Sequence, residues 1–301
     1  MSLVISVLSH HGLWQSTDHQ LSREGEPIPD PSLKNIYLEE EDGKAMIAYA
    51  GVGSVDKMHI SEWIRGVLRG KKRNLVDHLN VLRDAANRKL LPICKRYRTP
   101  HTFSIAAYKN DRPTLYVITN HIIQDGIHKI GDEFDLRQLV LSDMPYRFVI
   151  NVEGQGALAV SKTEGQDLIT KTIRRRAAKL LLGKDVAAVL ARLNAKASQD
   201  KRSEGTVSQN CMVTYLASPT DGMDTYFYGW DANVKKPMTQ HLGRGYDVTN
   251  IVESILPYIT DNMMRNLEAI KKGEPLDDDI DADIMNDLLR RGHKKPSDEF
   301  K

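Results

Sequence analysis

Ser2, Asp18 and Lys34 stand at equal intervals of sixteen positions (18 − 2 and 34 − 18), and together their side chains could carry out acyl transfer. Ser2 follows Met1, and a residue this small permits removal of the initiator methionine. The mature chain is then expected to begin with a hydroxyl and a free α-amine on one residue. Such a residue carries its own general base, because an α-amine titrates near pH ~8 and is partly neutral in neutral solution. A cation at Lys34 disfavours the ammonium form of that amine, and Asp18 would hold Lys34 charged and oriented.

Short elements flank these residues. Leu3-Val4-Ile5-Ser6-Val7-Leu8 is an apolar run of strand length. His11-Gly12 marks a turn, and Leu13-Trp14-Gln15-Ser16-Thr17 reads as a second strand that delivers Asp18 at its end. A strand restarts at Lys34-Asn35-Ile36-Tyr37-Leu38. A fourth covers Lys44 to Ala50 and closes at Gly51-Val52-Gly53-Ser54, with a helix expected from Val55 or Asp56.

With this arrangement the chain resembles the N-terminal-nucleophile hydrolases, in particular their proteasome β-subunit-like branch. Members carry an N-terminal Thr or Ser on the first strand, followed by Asp and Lys at the intervals seen for Asp18 and Lys34. Ala50-Gly51, with Asp56 soon after, looks like the family's A-G-x-x-x-D entry into its first helix. The resemblance implies that the Gly51 N–H serves as an oxyanion-hole donor. It covers roughly residues 2–110 well and continues more weakly to about 218.

The match is incomplete. Gln20 stands where the family has an Arg two residues after its Asp, and Gly154-Gln155-Gly156 replaces a G-S-G turn. Asp200-Lys201-Arg202-Ser203-Glu204-Gly205 keeps part of a D-x-x-S-G-G element, which adds Asp200 and Ser203 to the implied site. The implied fold is α+β, a four-layer αββα sandwich with a C-terminal helical extension. The implied activity is cleavage of amide or peptide bonds by Ser2, without metal or organic cofactor, in a homo-oligomer.

Composition bounds other classes. A chain of 301 residues with 41% hydrophobic residues can bury one large core or two smaller ones. A formal charge of +2 gives no argument for nucleic acid. Lys71-Lys72-Arg73 and Arg174-Arg175-Arg176 therefore read as solvated helix ends and faces. Cys94 and Cys211 are too few and too isolated for a disulfide framework or a thiolate zinc site, which suits a reducing, cytoplasmic setting. The first apolar run lacks the basic flank of a signal peptide, and no run approaches the ~20 residues of a membrane span. His10-His11 are adjacent and would point to opposite faces of a strand, so a turn fits better than a metal pair. Gly51-Val52-Gly53 imitates a dinucleotide fingerprint but lacks its third glycine. Asp277-Asp278-Asp279 and Asp281 lack calcium-loop spacing.

Further on, Ile60, Trp63, Ile64, Val67 and Leu68 recur at helical spacing. Asn74 is a candidate N-cap for a helix carrying Leu75, Leu79, Leu82 and Ala86. Residues 102–108 and 114–118 form an expected hairpin, and 119–145 read as an irregular, charged candidate insertion. A strand over 147–152 is followed by a helix from about Leu158 to Leu182, another from Asp185 to Asn194, and strands over 206–217 and 226–230. A helix over 248–269 is expected to break at Pro257. The domain reading is 1–246 for the sandwich, 247–271 for the helical extension and 272–301 for a flexible acidic and polar tail. Two alternatives stay open: a catalytically silent scaffold or binding protein, and a small-molecule amidase on the same fold.

Overall fold

The computed structural model describes residues 2–19, 21–23, 26–28, 33–124, 127–143, 148–160, 162–176, 182–203, 205–229, 239–272, 286–287 and 290. The chain starts with strands β1 (Val4–Ser9), β2 (Gly12–Asp18), β3 (Leu21–Arg23), β4 (Glu26–Ile28), β5 (Asn35–Glu40), β6 (Gly43–Ala50), β7 (Ser54–Val55) and β8 (Met58–His59). Helices α1 (Ile60–Leu68), α2 (Leu75–Ala85) and α3 (Leu91–Tyr97) follow, then β9 (Thr102–Lys109), β10 (Arg112–Gln124), β11 (Ile127–Val140) and β12 (Phe148–Glu153). The last part holds α4 (Lys162–Arg176), α5 (Leu182–Gln199), β13 (Cys211–Leu216), β14 (Met223–Tyr228), β15 (Gln240–Gly243), β16 (Tyr246–Asp247) and α6 (Val248–Lys272). The fold class is α+β, as expected.

Two sheets carry the core. One runs β12-β1-β2-β13-β14, the other β11-β10-β9-β6-β5-β15-β16. Every neighbouring pair is antiparallel except β15 with β5. Alternation along β1 explains the packing. Leu3, Ile5 and Val7 join Trp14 in a cluster with Val186 and Leu190 of α5, whereas Leu8 joins Leu13, Met46, Ala106 and Leu216 between the sheets. A third cluster seats Ile60, Ile64, Leu75, Leu79 and Leu82 against Ile47, Phe103 and Ile105 of the seven-stranded sheet. Trp63 also lies in that cluster, stacked near Phe103 with ring centroids 6.5 Å apart.

The space between the sheets is partly polar, and hydrogen bonds cross it, although Gln15 Oε1 and Asn35 Oδ1 are buried with no hydrogen-bond partner among the described residues. Ser6 Oγ lies 2.9 Å from Ser104 Oγ. Gln15 Nε2 donates to Ser6 Oγ at 3.0 Å and to the Ser104 carbonyl at 2.9 Å, and Asn35 Nδ2 donates to Thr214 Oγ1 at 3.0 Å. These bonds join β1, β2 and β13 to β5 and β9. They fix how one sheet sits over the other, which matters because the candidate site draws on both.

Several elements depart from expectation for identifiable reasons. The first helix starts at Ile60, because Asp56 and Lys57 take positive φ (50° and 68°) in the turn of the β7–β8 hairpin. Residues expected to be irregular continue β10 and β11 as a long ladder. Its register shifts between Thr119 and His121, which pair with Asp135 and Ile130, so alternation is broken where the sequence would display it. Of the two later helices, α4 starts only at Lys162, and α5 begins at Leu182 and runs beyond Asn194 to Gln199, with Asp185 in its first turn rather than at its cap. The strand expected over 206–217 is confined to Cys211–Leu216, since Thr206 turns back onto the Ser203 carbonyl through both its N–H and its hydroxyl. Pro257 lies inside α6 without ending it; Pro257 and Glu253, four residues earlier, are both exposed, so water can serve the freed carbonyl. Asn74 caps α2 as expected, its side chain accepting from Asp77 N at 2.9 Å.

Candidate active site

Three elements bring the spaced trio together. Ser2 precedes β1, Asp18 ends β2, and Lys34 precedes β5 of the other sheet. Lys34 Nζ donates to Ser2 Oγ at 2.7 Å and to Asp18 Oδ1 at 3.0 Å. All three are buried, with Ser2 at 3% exposure and the other two at zero. Burial pulls the Lys34 ammonium below the usual lysine range, while the Asp18 charge and hydrogen bond oppose that shift.

Backbone groups hold Asp18. Leu3 N donates to Asp18 Oδ1 at 2.9 Å, and Ser208 N approaches Asp18 Oδ2 at 3.4 Å. These amides support the Asp18 carboxylate; Gln20, two residues further on, lies outside the described residues. Residue identity does not reveal a backbone donor, so sequence reasoning missed Leu3 and Ser208. The one available clue was the register of β1 against β2, which pairs Val4 with Thr17 and so sets Leu3 beside Asp18.

One glycine closes in on Ser2, and a second lies next to the alanine that borders it. Val4 pairs with Glu153, so the next residue, Gly154, arrives against Ser2 with φ of 92°. A Cβ there would overlap the Ser2 carbonyl oxygen and come within 3.2 Å of Ala50 Cβ. The end of β6 therefore meets the same loop. Gly51, the next residue of that strand, has φ of 123°, and a Cβ on it would sit 2.8 Å from His101 Cα. His101 is fully buried, and desolvation pushes its imidazole pKa down to about 3. After Gly154, Gln155 has a buried Oε1 with no hydrogen-bond partner among the described residues.

Asp200 and Ser203 are engaged elsewhere. Arg202 donates to both Asp200 oxygens at 2.9 and 2.7 Å, and this holds the carboxyl down to about 2. Ser203 Oγ is buried and donates to the Ala197 carbonyl at 2.5 Å. What this stretch sends to the trio is Ser208, whose backbone bonds Asp18. Cys94 and Cys211 are free and buried, with thiols pushed up by burial to about 11 and about 12. Among the described residues there is no His/Cys/Asp/Glu cluster able to hold a metal, and no helix long and apolar enough to cross a membrane.

No protein-family model matches the chain, and no curated protein matches it. Among solved structures it is similar to an Anbu (Gly-1) mutant from Hyphomicrobium sp. strain MC1, at 11% identity and a TM-score of 0.45. That alignment covers 75% of this chain and 86% of the other. It is also similar to Anbu (ancestral beta-subunit) from Yersinia bercovieri, at 9% identity and a TM-score of 0.45 over the same shares. These values correct the family expectation. A distant likeness of fold remains, and it does not make this chain a member of the proteasome β-subunit-like branch. It says nothing about activity or site.

Proposed function

We propose that the chain is an amidohydrolase or peptidase whose nucleophile is Ser2, made N-terminal by removal of Met1. The observation that carries this reading is the 2.7 Å contact between Lys34 Nζ and Ser2 Oγ, with Asp18 behind the lysine. Taking a lysine and an aspartate fully out of water costs several kcal/mol per ion before pairing repays any of it. A buried, perturbed lysine on a serine hydroxyl is the kind of arrangement that activates a nucleophile.

In the proposed reaction the Ser2 α-amine accepts the Oγ proton, directly or through one water, as Oγ attacks the amide carbonyl. Lys34 stabilises the oxygen as it becomes anionic and disfavours protonation of the amine. Asp18 keeps Lys34 in place. The Gly51 N–H is the proposed donor to the tetrahedral oxyanion. The amine then gives its proton to the leaving nitrogen, and water releases the acyl group from Oγ. The substrate class is an amide or peptide.

Burial favours a second reading. With Ser2 only 3% exposed, the trio could act purely as a clamp between two sheets in a silent scaffold. A β-lactone probe separates the two readings by the mass of the N-terminal peptide. The nucleophile reading expects one adduct on Ser2 that is lost in Ser2→Ala. Absence of an adduct on a chain already lacking Met1 supports the clamp.

A further inference from the structure

Glu153 is a charged side chain beside the trio that the Ser2 chemistry leaves unused. Contacts settle which way β12 faces. Ile150 and Val152 pack on the cluster that holds Val186 and Leu190 of α5, whereas Val149 packs between the sheets and Asn151 Nδ2 donates to Ser104 Oγ at 3.2 Å. Alternation then turns Glu153, like Val149 and Asn151, into the space between the sheets. Ser2 shares that face: Val4, two residues on, clusters with Ala48 and Ala50 of β6, and Ser2 Oγ accepts from Lys34 of the other sheet. Because Glu153 pairs with Val4, it is the diagonal neighbour of Ser2, a spacing of about 7–8 Å in a regular ladder.

The seven-stranded sheet supplies the opposite wall. Ala50, Thr102, Thr119 and Asp135 form one row across β6, β9, β10 and β11, starting beside Gly51. Thr102 and Thr119 join hydroxyls at 2.7 Å. Val117 and its partner Arg137 lie on the same face as this row, since Val117 and Leu139 pack between the sheets. Arg137 Nε is already committed to Asp135 Oδ2 at 3.2 Å, so Glu153 carries the charge left over. Loss of water raises the proton affinity of its half-buried carboxyl, and an Asn151 hydrogen bond and the Arg137 charge offset this only in part. A carboxylate so placed is stabilised by a cation that a ligand brings to it. An amide whose carbonyl meets Ser2 Oγ lies between these walls. A strand advances ~3.3 Å per residue, so a side chain one or two residues from that carbonyl comes within reach of Glu153. We propose that Glu153 selects the substrate of the Ser2 site, favouring an amide or peptide with an ammonium or guanidinium group beside the bond attacked. This proposal rests on Ser2 being the nucleophile, and its test keeps the two apart.

Three β-lactone probes of equal length, ending in an ammonium, a methyl or a carboxylate group, are compared on the full chain by the rate of adduct formation on the N-terminal peptide. The ammonium probe is expected to label Ser2 about tenfold faster than the methyl probe, the effect of one charge-assisted hydrogen bond, with the carboxylate probe slowest. Glu153→Gln keeps the shape and is expected to bring the ammonium rate down to the methyl rate. Glu153→Lys is expected to reverse the order in favour of the carboxylate probe, which a purely structural role would not do. Equal ammonium and methyl rates on the parent chain would overturn the proposal. So would a Glu153→Gln chain that labels more slowly with all three probes by one factor, since the carboxylate would then act on Ser2 or on the fold. Absence of every adduct would count against Ser2 as nucleophile, and the cation site is then read by binding alone. A fluorescent, end-blocked tripeptide with a central lysine is titrated against the Ser2→Ala chain and followed by anisotropy. Binding weakened about tenfold when Glu153→Gln is added supports the proposal, and unchanged binding overturns it.

Discussion

Gly154 lies directly against Ser2: a side chain on Gly154 would occupy the space of the Ser2 carbonyl oxygen and come 2.8 Å from its carbonyl carbon. This contact follows from the pairing of β1 with β12, which delivers Gly154 one residue beyond the Val4–Glu153 pair. Gly154→Ala is therefore expected to be strained twice, by its φ of 92° and by collision with Ser2. The expected cost exceeds ~1 kcal/mol of stability, the usual gain or loss at a compatible glycine site. Denaturant unfolding measures it. A variant as stable as the parent, with probe labelling intact, would show that β12 is free to move away.

Lys34 is expected to be the least replaceable side chain of the trio. Lys34→Ala takes the ammonium away from the fully buried Asp18, and breaking a buried pair in this way costs about 3–5 kcal/mol. Lys34→Arg keeps the charge but not the shape or proton affinity, so it is expected not to restore labelling of Ser2. Thermal unfolding and probe labelling, measured side by side, separate the two effects. Near-normal labelling of the Arg variant would reduce Lys34 to a structural partner.

His101 gives a prediction in pH. Its folded-state pKa is depressed from 6.5 to about 3 by burial, so the unfolded chain takes up a proton that the folded chain refuses. Its contribution is intact above the unfolded value and is lost as pH falls through the window between 6.5 and about 3. The slope from this one group is at most about 1.4 kcal/mol per pH unit. His101→Gln is expected to flatten the acid limb of the stability curve, whatever it does at neutral pH. An unchanged acid limb would mean that His101 protonates without unfolding.

What the sequence made legible was local or periodic. The equal spacing of Ser2, Asp18 and Lys34 picked out residues that three separate elements bring into contact, and the Asn74 cap and the apolar faces of α1 and α2 read directly. Interactions made by the backbone left no trace. The amides of Leu3 and Ser208 support Asp18 whatever their side chains. The β10–β11 ladder was hidden by its register shift, and the β7–β8 turn by positive φ at Asp56 and Lys57, residues that carry no glycine signal. Asp200 and Ser203 show the converse. A pattern suggested a role, but Arg202 and the Ala197 carbonyl take up the groups that would have played it.

The state of the N-terminal peptide tests the central claim most directly, because the proposed base exists only once Met1 is gone. Mass spectrometry of the full chain purified without an N-terminal tag reads this in one step, and amine-reactive labelling of the same sample reports whether the α-amine is free. The account predicts a chain that begins at Ser2 with an unblocked amine. A retained Met1, or an acetylated Ser2, would contradict it.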